Sequence, residues 1–263
     1  MKRQIKGILT RFEHYRDLIL ILTQKEMKVR YKSTIFGYVW SIAHPLAFAF
    51  VFFVAFKVIM RIQMEAYALF LIAGLFPWQW LSNSVNASPM IFLNNASLIK
   101  KVTLPGNILP LTTVLQDMIH FLLSIPVIVL FLFIYHKSPS FSWFYGIPVL
   151  LGIQLLMTYG LCLMISSINL FFRDLERLTV IVTTLAFWFT PIIYPETMIP
   201  EQYMKLILFF NPLSPLMISW RTLFLDGTLS SSMVLISFTV SLFVLLLGYM
   251  VYKKLSWRFA EAL

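Results

Sequence analysis

The sequence is short of charge, cysteine and clustered histidine, and it lacks a phosphate-binding loop. Only 12% of its 263 residues are Asp, Glu, Lys or Arg, against about 25% in soluble domains. A water-soluble fold is therefore excluded. Its one cysteine, Cys162, falls inside an apolar run, so no disulfide framework exists. His14, His44, His120 and His136 are scattered over different segments without cysteine partners, and no metal site is expected. None of the nine glycines opens a G-x-x-x-x-G-K-S/T loop, so this chain is not expected to hydrolyse a nucleotide. Acidic residues rarely cluster. Asp174 and Glu176 each sit beside an arginine, which favours ion pairing over the Mg²⁺ site of a membrane transferase. Leu18 to Leu22 is too short for the apolar core of a signal peptide. The two halves share no repeat or matching broken segment, which argues against an inverted-repeat transporter.

What is there is apolar. Hydrophobic residues make up 59% of the chain, and mean hydropathy is +0.82. A helix needs about 20 apolar residues to cross a bilayer. The apolar runs are long and unbroken rather than short and alternating, which excludes a β-barrel. We expect an all-α integral membrane protein with six spans, at about 34–56, 67–90, 108–135, 143–172, 178–194 and 230–252. The fourth, about 45 Å long if wholly helical, has to tilt or project. Residues 1–33 form a separate charged segment. In it Phe12, Tyr15, Ile19 and Leu22 recur at helical spacing between Arg11, Glu13, Arg16 and Asp17. That pattern predicts an amphipathic helix lying in the membrane interface or packed on a soluble partner.

Residues 195–228 are ambiguous, because Asn211, Pro212, Pro215 and Arg221 interrupt an apolar stretch. Counting cations resolves this. If the stretch does not cross, both termini share a side, and 16 of the 21 Lys and Arg residues fall on it. Nine of those 16 lie in residues 1–32, and the others include Lys100, Lys101, Arg173 and Arg177. Cytoplasmic loops carry such an excess. Both termini are therefore expected in the cytosol, with about 196–225 re-entrant or flat at the outer surface. The net charge of +10 then follows topology, and no nucleic-acid partner is expected.

Three groups of residues could carry function. Asp117 is the one carboxylate well inside a span, with Gln116 beside it and His120 one turn on. An intramembrane charge usually faces the bundle interior or water, so Asp117 serves a polar path, a proton relay or a hydrogen bond between helices. The cluster Arg173-Asp174-Leu175-Glu176-Arg177 is either a solvated helix cap, with Asp174 as N-cap, or a docking surface. The segment 91–106, with Asn94, Asn95, Lys100 and Lys101, allows the same two readings. Finally, Tyr38, Trp40, Trp78, Trp80 and Trp188 belong either to the interfacial aromatic belts or to a path on which sugar rings stack.

Arg30-Tyr31-Lys32-Ser33 with Gly37, Trp40 and Pro45, then Phe76-Pro77-Trp78, then Phe172-Arg173-Asp174, then Asn211-Pro212 with Pro215, occur in that order along almost the whole chain. Together they resemble the permease subunit of ABC-2 type polysaccharide exporters, the O-antigen and capsule export family. The resemblance implies a homodimeric channel in the bacterial inner membrane, joined to two copies of a separate subunit that binds ATP and Mg²⁺. This chain would then need no cofactor and perform no catalysis. The resemblance also implies a coupling helix at about 92–103, so that Asn94, Asn95, Lys100, Lys101, Arg173 and Asp174 would contact the ATPase subunit. Two short re-entrant helices at about 196–225 would gate the outer side. The substrate would be a polysaccharide on an undecaprenyl diphosphate carrier, with Arg30 and Lys32 suited to the diphosphate. Related permeases for teichoic acid, drugs or lipids share this layout and are the alternative.

Overall fold

The computed structural model describes residues 15–28, 39–61, 64–101, 105–200, 202–203 and 211–263. Every regular element among them is helical, as the apolar runs led us to expect. In chain order they are α1 (15–28), α2 (Trp40–Phe52, continuing as a π-helix over Phe53–Ile59), α3 (Tyr67–Ala87), α4 (Ile91–Asn94), α5 (Ala96–Lys101), α6 (Ile108–Ile134), α7 (Trp143–Asn169), α8 (Leu175–Phe189), α9 (Ser214–Asp226), α10 (Ser231–Leu255) and α11 (Phe259–Ala262). By length and composition, three stretches can cross a membrane: Ile108–Ile134, Trp143–Asn169 and Ser231–Arg258. Helices α2, α3 and α8 occupy the other expected spans but are shorter or more polar.

Helix ends follow local chemistry. The expected fifth span, 178–194, instead begins at Leu175 and ends at Phe189. Thr190 is extended, with ψ 134°, because the ring of Pro191 disfavours helical backbone in the residue before it. Asp174 occupies the N-cap of α8 but makes no side-chain capping bond, whereas Glu176 lies in the first turn, where the helix dipole favours a negative charge. At α9, Pro215 sits in the first turn and Gly227 closes the helix at φ 65°, the left-handed geometry that glycine adopts at no steric cost.

Two ends of the bundle can be told apart by their contacts. At one end, Leu22 of α1, Phe92 of α4, Leu109 of α6, Leu170 after α7 and Phe259 of α11 form a single apolar cluster. The N-terminal helix and the C-terminal segment therefore share an end. At the opposite end, Tyr67 donates to the Ile193 carbonyl at 2.8 Å, and Gly227 lies against Ser140 in the α6–α7 turn. Helix α9 starts near Thr190, through Asn211 (2.8 Å), and finishes near Ser140. The chain between α8 and α10 thus leaves and returns on the same end.

Helices α7 and α10 approach each other closely at two glycines. A methyl group at Gly160 would lie 2.7 Å from Leu245 backbone, and one at Gly248 would overlap the Gly160 carbonyl. Ser237, Ser241 and Gly248 are buried along the same face of α10. In lipid there is no hydrophobic force between helices, and small residues let backbones approach instead.

On α1 the buried stripe is Leu22, Thr23 and Met27, with Leu18 and Ile19 packed beside it. Of the expected apolar positions, Ile19 and Leu22 pack on the bundle, Tyr15 is exposed, and Phe12 lies outside the described residues. Leu20 and Ile21 stay exposed. The helix therefore packs on the bundle with one face and keeps apolar side chains on another.

Candidate functional site

The functional candidates fall at the two ends of the bundle and along α8. At the α1 end, Pro89 and Asn107, on either side of α4 and α5, are stapled down by polar contacts. Asn169 donates to the Pro89 carbonyl at 2.8 Å. The Asn107 backbone N–H donates to the Tyr252 hydroxyl at 3.1 Å, and the Tyr159 hydroxyl donates to the Asn107 carbonyl at 3.2 Å. The expected helix at 92–103 is two short pieces, α4 and α5, divided at Asn95 (φ −109°, ψ 19°). The Asn95 side chain donates to the Ile91 carbonyl at 2.9 Å, offering the backbone an alternative to continued helix. Residues 102–104 lie outside the described set.

From this segment Asn94, Lys100 and Lys101 project outward, and Arg173 and Asp174 are exposed at the start of α8. Among the described residues neither Asp174 nor Glu176 makes an ion pair, so the pairing expected beside their arginines is absent. No group of three His, Cys, Asp or Glu residues among those described could hold a metal.

Asp117 is buried on α6 and accepts a hydrogen bond from Ser84 of α3 at 2.8 Å. It also lines a cavity of about 260 Å³ between α1, α3, α4 and α6, together with Glu26, Asn83, Asn95 and Gln116. Of the readings open for Asp117, the interhelical hydrogen bond is observed directly.

The aromatic residues separate into two kinds. Trp80 is only 2% exposed. Its indole N–H donates to the Val114 carbonyl at 3.1 Å, and its ring stacks on Phe121. Within this chain its ring is covered by the bundle's own side chains. Trp78 is buried against Phe187 and borders a second, larger cavity of about 890 Å³. That cavity is walled by apolar side chains of α3, α7 and α8, including Leu81, Met157, Leu161, Val182 and Phe189. Trp40 and Trp188 are each 51% exposed, and only these two of the expected tryptophans present a ring to the surroundings. Arg30, Lys32 and Tyr38 lie outside the described residues.

The opposite end holds residues whose roles the sequence did not reveal. Arg221 of α9 is 4% exposed. Its guanidinium donates to the Pro191 carbonyl at 2.6 Å, pairs with the Glu196 carboxylate and lies 4.4 Å over the Phe70 ring. Burial pushes its pKa down, and the Glu196 and Asp226 carboxylates push it back up. A guanidinium is so strong a base that it keeps its proton. One side chain thus ties α3, the turn after α8 and α9 together. Deeper in the bundle, Gln154 of α7 accepts from the Trp220 indole at 2.6 Å and donates to the Pro77 carbonyl at 2.8 Å. The only sequence signal for these residues was a polar group inside an apolar run.

Comparison with known proteins agrees with this geometry. The sequence profile of the ABC-2 type transporter family matches residues 17–225. A protein named O-antigen export system permease protein RfbA, from Klebsiella pneumoniae, is 45% identical over 247 residues, covering 94% of this chain and 95% of that protein. A protein of the same name from Myxococcus xanthus is 31% identical over 252 residues, covering 95% and 96%. A bundle of apolar helices, a stapled segment at one end, and likeness from end to end together show that this chain belongs to the ABC-2 type transporter family.

Proposed function

We propose that this chain is the membrane-spanning permease subunit of an ATP-driven exporter that moves O-antigen-type polysaccharide across the bacterial inner membrane. The observation that carries the reading is near-full-length identity of 45% to a protein named as an O-antigen export permease. In this reading the chain works as a homodimer with two copies of an ATP-binding subunit, which holds ATP and Mg²⁺. The α1 end faces the cytosol. The exposed Asn94, Lys100, Lys101, Arg173 and Asp174 meet the ATPase subunit there, and its movement reaches the bundle through the segment stapled at Pro89 and Asn107.

Packing supports a path between two copies rather than through one. The larger described cavity is apolar, which suits hydrocarbon and not a hydrated sugar chain. Helix α8 leaves Val180, Ile181, Leu185, Trp188 and Phe189 exposed, a surface that lipid or a second protomer can cover. Trp40 and Trp188 present the rings that a polymer could slide on. Arg30 and Lys32 remain our candidates for the diphosphate of a lipid carrier, and Arg221 closes the outer side.

Reconstitution tests this. The chain is co-expressed with a candidate ATP-binding subunit, purified and placed in proteoliposomes with labelled lipid-linked polymer. We expect co-purification, ATPase activity only with the partner, and polymer export that needs both. ATP hydrolysis by the chain alone would overturn the reading.

A further inference from the structure

Helix α10 has two opposite faces. One carries Ser237, Ser241 and Gly248, buried towards α7. The other carries Leu242, Leu246 and Met250, each four residues from the next and all exposed, with Phe243 beside them. At 3.6 residues per turn, Lys253 continues the exposed stripe and Lys254 flanks it. Trp257 follows one turn later, in the 3₁₀ turn Ser256–Arg258. From Leu242 to Lys253 the helix rises about 16 Å, close to half of the roughly 30 Å hydrocarbon core of a bilayer.

The end of this stripe is cationic. Lys253, Lys254 and Arg258 are exposed, and among the described residues none of them makes an ion pair. Glu261, the nearest acid in sequence, is exposed and pairs with none of them either. The Arg258 guanidinium lies 4.5 Å over the Trp257 ring, which is 67% exposed. Phe259 anchors the turn that carries them. It is buried at the α1 end of the bundle, with its ring centre 4.8 Å from that of Phe92 and 5.8 Å from that of Tyr252. Three cations and an indole are thus fixed where an exposed apolar stripe ends.

We propose that this face of α10 binds an anionic glycerophospholipid. Its phosphate sits at Lys253, Lys254 and Arg258, and one acyl chain runs along Met250, Leu246 and Leu242. Charge complementarity selects the headgroup, and a tryptophan at the end of a membrane helix suits headgroup level. The stripe selects lipid over a soluble protein. Such a protein could reach the cations, but not Leu246 and Leu242 at the depth of the hydrocarbon. The inference needs only that α10 crosses the bilayer, whatever the permease moves.

The test titrates the full chain, in dodecyl maltoside, with dioleoyl phosphatidylglycerol or dioleoyl phosphatidylcholine, and native mass spectrometry counts the bound lipids. We expect saturable binding that favours phosphatidylglycerol. A cation near an anionic surface contributes about fivefold in affinity. Lys253→Gln with Lys254→Gln should therefore weaken phosphatidylglycerol binding at least about tenfold and change phosphatidylcholine binding little. Lys253→Arg with Lys254→Arg should keep the preference. Lys100→Gln with Lys101→Gln removes the same charge from the same end and should leave binding unchanged. Equal losses in the two Gln pairs would mean unspecific attraction and overturn the proposal. Equal binding of both lipids to the wild type would overturn it as well. So would a Lys253→Gln, Lys254→Gln variant that stops co-purifying with the ATP-binding subunit while its affinity for phosphatidylglycerol is unchanged, since the patch would then be a protein contact.

Discussion

The indole N–H of Trp220 is held by the side-chain oxygen of Gln154, 66 residues earlier in the sequence, at 2.6 Å. The amide nitrogen of that glutamine is held in turn by the Pro77 carbonyl. One buried side chain thus joins α3, α7 and α9. Gln154→Leu keeps the volume but leaves the indole unpaired, and it should lower stability by about 1–2 kcal/mol. Trp220→Phe removes the same donor. The double variant should lose less than the sum, because the two residues share one bond. Unfolding in a denaturant series measures all three, and additive losses would contradict the coupling.

Arg221 is bound by a carbonyl, a carboxylate and a ring at once. Arg221→Met leaves the Pro191 carbonyl and Glu196 without their partner and should cost about 3 kcal/mol. Arg221→Lys keeps the charge but loses the planar fork, so it should fall between Arg221→Met and the wild type. Glu196 is about a third exposed, so water can replace its partner and Glu196→Gln should be the mildest change. If Arg221 closes the outer side, ion leakage through reconstituted permease should rise in the same order. Unchanged leakage in Arg221→Met would remove the closure role and leave only a structural one.

Three glycines should respond differently to the same substitution. Gly160→Ala and Gly248→Ala place a methyl group into facing backbone and should each destabilise the α7–α10 pair by about 1–3 kcal/mol. A methyl group at Gly152 would meet nothing within 4 Å. Gly152→Ala should therefore be neutral, or stabilising by about 0.5–1 kcal/mol through helix propensity. Thermal midpoints of the three variants decide this, and a loss in Gly152→Ala as large as the others would refute the packing account.

Lys100 and Lys101 are exposed in the last turn of α5. Reversing both, Lys100→Glu with Lys101→Glu, should leave stability within about 0.5 kcal/mol of the wild type. The same change should reduce recovery of the ATP-binding subunit on co-purification. Full recovery would take these lysines out of the contact.

Much of the fold was legible because the bilayer imposes a strict pattern. Long apolar runs gave α6, α7 and α10 within a few residues of their ends, since backbone polar groups in lipid must be satisfied within the helix. Helix α8 stops at Phe189, five residues short of the expected 194, because Pro191 disfavours helical backbone at Thr190 although the apolar run continues. Asp117 stood out as a carboxylate within a span, yet its partner Ser84 could not be read, because the contact joins residues on different helices. The same blindness applied to Trp80. A tryptophan on a lipid-facing, path-facing or core-facing side of a helix looks identical in one dimension.

The sequence alone determined that this is a helical membrane protein and that its motifs run in the order of an ABC-2 permease. Those properties depend on composition and order along the chain, which a single sequence displays. Only the tertiary structure decided which polar groups meet. It brought Arg221 to Glu196 and Pro191, Gln154 to Trp220, and Glu26, Asn95 and Gln116 around one cavity. The physical reason is that helix packing sets such contacts through close approach at particular faces, as at Gly160 and Gly248. Distance along the chain carries no record of that rotation and depth.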